Sequence, residues 1–437
     1  MPLARLYQRQ TLVIQLPLAV VGIALAIWLW FVVFPIPPTT VTMSTGNPSG
    51  AYHRNALRYV DAFAARGVTL HLEPSAGSEQ NLERLRAGTQ PTDLAFVQGG
   101  YGYLGDAFEG SGPNRVETLA NIDIEPVWLF SRSREIDAMP QLQGLRVAVG
   151  PEGSGNRRVA TKLIEQARLD PKDITLSPLA GQTAVQALID GTLDIVIMVS
   201  SPDSPLVRSM LAIPGIHLAN LRKSTAIIER NPFLEQRLLP QGSLGPKQPP
   251  RDITMLTTSA SLVAREQLHP ALKRLAISVA NDVHGGAGLF HRAGDFPSLR
   301  RIDFPTAAVA RTTLLHGLPW LENALPFWWA QVAERLLFIV LPVAFLVLWL
   351  MHVLSSWLRW WLESRVNRWY GELKFIENDL RKQDVTGLDV ERFLLRLQAI
   401  DKTMMAFSTP RELMARCYTL HQHINFVRRQ LDGLRGR

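Results

Sequence analysis

Residues 39–325 of this 437-residue chain predict an α/β fold of two lobes. Short apolar runs of strand length alternate there with stretches whose apolar residues recur at helical spacing. Corners rich in Gly and Ser punctuate the changes of period. At this length the span exceeds one ordinary core and suffices for two.

The opening stretch sets the pattern. Residues 40 to 45 alternate like a half-buried strand, and Gly46, Pro48 and Gly50 interrupt them. From Tyr52 onward Ala56, Leu57, Val60 and Phe63 fall at helical spacing. Further strands are expected at 68–75, 94–98, 127–131, 146–150, 174–179, 195–200, 216–221 and 253–264. Helices are expected at 78–87, 156–167, 183–190 and 269–283. That rhythm implies a mostly parallel sheet covered by helices. Residues 232–251, rich in Pro, Gly and Gln, read as a loop.

Apolar runs flank this region. Residues 11–34 carry no charge and exceed the ~20 residues that cross a bilayer core. Arg5 and Arg9 keep residues 1–10 in the cytoplasm. The run outlasts a signal-peptide core of roughly 7 to 15 residues, and Pro-Ile-Pro-Pro follows where a small-x-small cleavage site belongs. A retained anchor is favoured over a cleaved signal. The second uncharged run, 336–358, lies between Arg335 and Arg359. Two crossings put both termini in the cytoplasm. Trp28, Trp30, Trp320, Trp328 and Trp329 then mark the outer interface, and Trp357, Trp360, Trp361 and Trp369 the inner one. Packing between helices is the alternative for these aromatics.

The formal charge of +8 and pI near 9.8 do not point to nucleic acid, because Lys and Arg crowd the segment 359–437, just after an apolar span. One cysteine, Cys417, excludes an internal disulfide framework. No Cys/His spacing resembles a zinc site, and no metal or cofactor is expected. In the same tail Leu413, Cys417, Leu420, Ile424, Val427, Leu431 and Leu434 alternate by four and three, a heptad seam. Thr409-Pro-Arg-Glu412 ahead of it is a capping box. Val390, Leu394, Leu397, Ile400, Met404 and Phe407 form a second stripe. A helical hairpin or small bundle follows, packed within the chain, against another copy, or on a cytoplasmic partner.

Three corners carry the candidate chemistry: Thr45–Tyr52, Ser75–Asn81 and Gly150–Arg158. Small residues there expose backbone N–H groups and hydroxyls, suited to a carboxylate or phosphate. Gln98 and Ser200, at or beside the ends of further strands, line the same cleft. Tyr52 and Trp128 either flank a ligand or bury in a lobe core. Arg54, Arg157 and Arg158 can clamp a carboxylate or point to solvent. The candidate ligand-binding residues are Thr45, Gly46, Ser49, Gly50, Tyr52, Ser75, Gly77, Ser78, Gln98, Trp128, Gly153, Ser154, Gly155 and Ser200. Gly150 and Gly155 have P-loop spacing, but Asn156 and Arg157 occupy the lysine and hydroxyl positions, which argues against nucleotide hydrolysis. No serine elbow, zincin helix or converging nucleophile and base is present, so catalysis is not expected.

Taken in order, these corners resemble the TAXI family of solute receptors, extracytoplasmic binding proteins associated with TRAP transporters. The family's T-G-x-x-x-G-x-Y is matched by Thr45, Gly46, Gly50 and Tyr52. S-x-G-S-x-x-N is matched by Ser75, Gly77, Ser78 and Asn81, and D-L-A-x-V-Q by Asp93, Leu94, Ala95, Val97 and Gln98. Leu142 to Gly155 and Ala184 to Asp194 match two more motifs. The resemblance implies a type II periplasmic-binding fold, two α/β lobes joined by crossing strands with a hinge. Lobe one would take 39–125 and 225–325, and lobe two 126–224. It also implies a small carboxylate-type solute, such as an amino acid, passed to separate TRAP permease subunits at a bacterial inner membrane. Departures are plain. Typical members lack two membrane tethers and a cytoplasmic tail, Asn47, Pro48 and Ser49 replace residues that are mostly Gly or Thr, and Arg54 stands where proline is usual. The tail opens an alternative, a sensor or scaffold that signals through it.

Overall fold

The computed structural model describes residues 15–48, 50–87, 92–102, 115–132, 134–381, 387–406 and 413–435. The chain forms two compact units. One is Pro37–Gln331; the other combines Met1–Ile36 with Val332–Arg437.

The first unit is built on one ten-stranded sheet. Its strands are β1 (Thr40–Ser44), β2 (Thr69–Glu73), β3 (Leu94–Gln98), β4 (Val116–Arg132), β5 (Arg146–Ala148), β6 (Thr175–Ser177), β7 (Ile195–Val199), β8 (Ile216–Leu218), β9 (Glu235–Leu239) and β10 (Ile253–Arg265). The order is β2-β1-β3-β10-β4-β7-β5-β6, with β8 on β4 and β9 on β10. β1 pairs in parallel with β2 and β3, and β5 with β6 and β7. β10 is antiparallel to β3, β4 and β9, and β4 to β7 and β8. The sheet is therefore mixed, which corrects the mostly parallel expectation. The cause is β4 and β10, strands of 17 and 13 residues that traverse both halves in opposite directions. The first half of β4 escapes sequence reading because Glu117, Asn121, Asp123 and Glu125 break up its apolar run. β9 lies inside the expected loop 232–251; Glu235-Gln-Arg-Leu-Leu is a polar edge strand held by β10.

Each half has its own core. In the first lobe Val41, Met43, Phe96 and Leu262 pack against Phe63 and Leu272, from the helices Ala51–Ala64 and Pro270–His284. In the second, alternate residues of β4 serve opposite faces. Val127 and Leu129 join Val159 and Leu163 of the helix Gly155–Gln166. Trp128 and Phe130 join Val185 and Val207, from helices on the other side. Burying each such side chain contributes roughly 1.5–3 kcal/mol. Ile227, Phe233, Leu239, Ile253 and Leu256 also pack into second-lobe cores. Residues 225 to about 256 thus side with lobe two rather than lobe one, because β9 pairs with the half of β10 that lies there.

Two helical stretches are long and apolar enough to cross a membrane, Leu16–Val33 in the second unit and Phe327–Leu380, which belongs to it from Val332 onward. The second runs on without a break beyond the apolar segment 336–358. Val347 packs on Gly22, where any Cβ would collide with it, so glycine lets the two helices approach. The Arg335 guanidinium donates to the carbonyls of Phe34 (3.4 Å) and Pro35 (2.7 Å) and lies 6.0 Å over the Trp30 ring. Backbone acceptors at the end of the first helix are thereby satisfied.

Helices Gly387–Met405 and Met414–Arg435 fold back on the long helix. Leu397, Ile400, Leu420, Ile424, Val427 and Leu431 bury against Leu373 and Ile376, and Leu413 and Cys417 against Leu358, Leu362 and Val366. Both stripes read from the sequence are therefore buried inside one chain. Phe407, the capping box at 409–412 and the side chain of Leu434 lie outside the described residues.

Candidate functional site

The corners are shaped by two asparagines. Asn81, buried near the start of the helix Ser78–Ala87, donates to the Phe96 carbonyl at 2.8 Å and the Thr45 carbonyl at 3.3 Å. Its Oδ1 accepts from the hydroxyls of Ser44 (2.7 Å) and Ser75 (2.6 Å). One side chain thus gathers the ends of β1 and β3 with the second corner. Asn156 repeats the device in the other lobe. It donates to Val149 and Ile197 carbonyls, both at 2.9 Å, and accepts from the Val199 N–H at 2.8 Å. Sequence reasoning treated Asn81 as one letter of a motif and Asn156 as a mark against nucleotide binding. The only signal was position, an amide side chain just inside a helix that follows a Gly/Ser corner.

The first and second corners are joined by the Ser75 N–H, which donates to the Gly46 carbonyl at 3.1 Å. The Thr45 hydroxyl lies 3.0 Å from His53 Nδ1, and Gly50 caps the helix Ala51–Ala64. Ser49 lies outside the described residues.

The second and third corners come from opposite lobes and touch. A Cβ on Gly77 would stand 3.3 Å from Ser154 Cα and 3.5 Å from the Gly155 nitrogen, and Gly77 has a φ of +142°. A Cβ on Gly155 would collide with Gln98 Oε1 and lie 3.2 Å from the Ser78 hydroxyl. Glycine leaves room for this approach at both positions, and at Gly77 the backbone conformation itself disfavours any side chain. Gln98 is 5% exposed; its backbone N–H donates to the Ser78 hydroxyl at 2.9 Å. Its Nε2 has no hydrogen-bond partner among the described residues. Leaving a buried donor unpaired costs about 1–3 kcal/mol. Such a group, set where two glycine corners meet, is suited to an incoming acceptor.

One site residue escaped sequence reasoning altogether. Glu125 is 6% exposed on β4 and accepts from the Tyr52 phenol at 3.0 Å. The Tyr52 ring lies 5.5 Å from that of Phe96. Burial pushes the Glu125 carboxyl up to about 8, with Asp123 adding to the rise and the Tyr52 hydrogen bond opposing it. Burial, then Glu125, raises the Tyr52 phenol well above its ordinary value. Register puts Gln98 opposite Ala260, and Ala260 opposite Asp123. Gln98 and the acidic pair thus stand two strand spacings apart, roughly 10 Å, where the lobes join. A lone Glu in a polar stretch gave no hint of this.

Trp128 is turned into the second lobe's core, whereas Ser200 follows Val199, whose N–H is held by Asn156 at the third corner. Trp128 is fully buried, its ring stacked 6.1 Å from Phe130, and its indole N–H donates to the Ser200 carbonyl at 2.8 Å. By alternation it faces away from the side of β4 that carries Glu125. Among the arginines, Arg157 donates to the Gly150 carbonyl at 3.2 Å, and Arg158 lies 4.6 Å over the Tyr101 ring. A crevice of about 540 Å³, lined by Glu79, Ser154, Arg157, Arg158 and Lys162 among others, opens beside the corner contact. Among the described residues no three His, Cys, Asp or Glu side chains are grouped to hold a metal.

Two α/β lobes, joined by two crossing strands and meeting at glycine corners, give the chain a fold of the periplasmic-binding type. The chain belongs to the NMT1-like family, which it matches over residues 43–275. It is similar to the periplasmic aliphatic sulphonate binding protein SsuA of Escherichia coli, at 14% identity over 57% of this chain and 73% of that one, with a TM-score of 0.37. It is also similar to the alkanesulfonate-binding protein SsuA of Xanthomonas axonopodis pv. citri, solved with MOPS, at 17% identity over 70% and 98% of the two chains, with a TM-score of 0.38. No curated protein matches it.

Proposed function

We propose that the chain is a membrane-anchored receptor that binds a small carboxylate-type solute between its lobes, outside the cytoplasmic membrane, for a separate permease of the TRAP type. The observation that carries this reading is the meeting of Gly77, Ser78 and Gln98 with Gly153–Gly155, around a buried amide donor that has no partner among the described residues. With the lobes parted, the solute's anionic group would take the Gln98 amide, the Ser78 hydroxyl and the N–H groups that open the helix Gly155–Gln166. Tyr52 and Glu125 would meet any donor the solute carries, as an amino acid does. Closure is then biased by contacts made only in the closed form. The reading is one of binding rather than catalysis, and it extends the resemblance to TAXI receptors.

The test is thermal unfolding of the full chain in detergent across amino acids, dicarboxylates and oxo-acids. At least one is expected to raise the melting temperature by mass action, and Gln98→Ala is expected to lose that response. A melting temperature unmoved by every compound would sink the reading.

A second reading, ligand sensing through the tail, is favoured by the helix Leu341–Leu380, which runs unbroken from the apolar segment into the bundle. Truncation from residue 383 onward separates the two. Unchanged uptake with lost signalling output supports sensing; lost uptake supports transport alone.

A further inference from the structure

The corner that follows β3 makes contacts that solute capture does not use. Tyr101, 4% exposed, lies in a first-lobe cluster with Leu82, Val97 and Phe304. The guanidinium of Arg158 sits 4.6 Å above its ring, and Arg158 stands in the first turns of the helix Gly155–Gln166 of the other lobe. Beside it Gly100, at φ +105°, receives the ring of Phe233; a Cβ there would lie 2.7 Å from Phe233 Cδ2. Phe233 belongs to the second lobe's core. One short stretch of lobe one therefore takes a cation and an aromatic ring from lobe two.

The corner is itself fixed in place. Asp303, 2% exposed, accepts from the backbone N–H groups of Gly100 and Gly102. Its backbone carbonyl abuts Gly102 so closely that no side chain would fit. A carboxylate that binds two N–H groups of one turn rigidifies it as a ligand would. Holding Tyr101 still matters, because a cation–π contact depends on the guanidinium lying over the ring face.

We propose that Gly99–Gly102 is an interlobe latch, in which Asp303 anchors the corner while Tyr101 and Gly100 receive Arg158 and Phe233. The latch stabilises the closed arrangement with the chain's own contacts, so it sets how often the lobes close before any solute arrives. This rests on the reading of the two lobes as a solute clamp. Because the fraction of closed lobes scales the apparent affinity, the latch also tunes solute binding without touching the solute.

The experiment is an interlobe distance distribution from spin labels on Glu83→Cys and Lys172→Cys, in the full chain carrying Cys417→Ser. Arg158→Ala should lower the closed-to-open ratio by about 2- to 30-fold, the worth of a cation–π contact. Tyr101→Phe, which keeps the ring, should leave the distribution as in the parent. Arg158→Lys, which loses the planar guanidinium, should fall between parent and alanine. An Arg158→Ala distribution identical to the parent's overturns the latch, as does a Tyr101→Phe chain that opens like Arg158→Ala. Solute stabilisation measured on the same samples separates this from the receptor reading. Opening by Arg158→Ala in a chain that answers no solute upholds the latch and removes the receptor. Unchanged distances in a chain that still answers a solute do the reverse.

Discussion

Glu125 and Asp303 give the protein an unusual acid–base profile. The Glu125 carboxyl holds its proton to about 8 in the folded chain against 4.5 ordinarily, chiefly through burial. A raised acid pKa means that the folded state binds the proton more tightly than the unfolded one. Stability from this source is complete below about pH 4.5 and declines as the pH climbs toward 8. Asp303, pushed up to about 6 by burial, adds a decline between 3.8 and 6. Glu125→Gln keeps the shape and stays neutral. Its melting temperature should decline less than the parent's from pH 5 to 8, and above pH 8 it should be the more stable, by a few kcal/mol at most. Parallel curves for the two proteins would contradict this. At this scale the sequence was partly legible. The glycines and serines of the corners stood out because small residues punctuate the pattern. Glu125, Asn81 and Asn156 did not, because their partners are strand ends fixed only by the assembled fold. Trp128 carried two readings, and its burial beside Phe130 followed from the parity of β4 rather than from its own chemistry.

Elements were legible where one physical cause dominated. The helices 78–87 and 156–167 were visible because their apolar faces are regular, and they form at Ser78–Ala87 and Gly155–Gln166. The long β4 was hidden because half of it carries carboxylates and amides, and β9 because a polar edge strand resembles a loop. In the second unit apolar length revealed both candidate spans, and the three–four spacing revealed the helical tail. The contact between the spans depends on Gly22 lying under Val347, a pairing that no single-helix pattern contains. Gly22→Leu should force these helices apart at a cost of roughly 1–3 kcal/mol, the usual penalty for overpacking. Ala24→Leu, on an exposed position, is the control. Detergent-solubilised protein should melt lower with the first change and not the second; equal melting would mean that the helices do not pack at Gly22.

For the whole molecule, a two-lobed α/β unit and a helical unit with two apolar helices were both legible, since composition and periodicity change sharply at their borders. The sheet's mixed direction was not. Two strands crossing between lobes in opposite senses arise from long-range pairing, which leaves no local trace. The proposed function rests on the same long-range geometry: corners far apart in sequence meet at Gly77 and Gly155, beside the amide of Gln98. Calorimetric titration of the full chain with whichever carboxylate stabilises it most, beside Gly155→Val, tests this most directly. Parent protein should bind with one-to-one stoichiometry, and Gly155→Val, though folded, should lose at least tenfold in affinity, about 1.4 kcal/mol. Equal affinity in the two proteins would place the solute elsewhere and contradict the site.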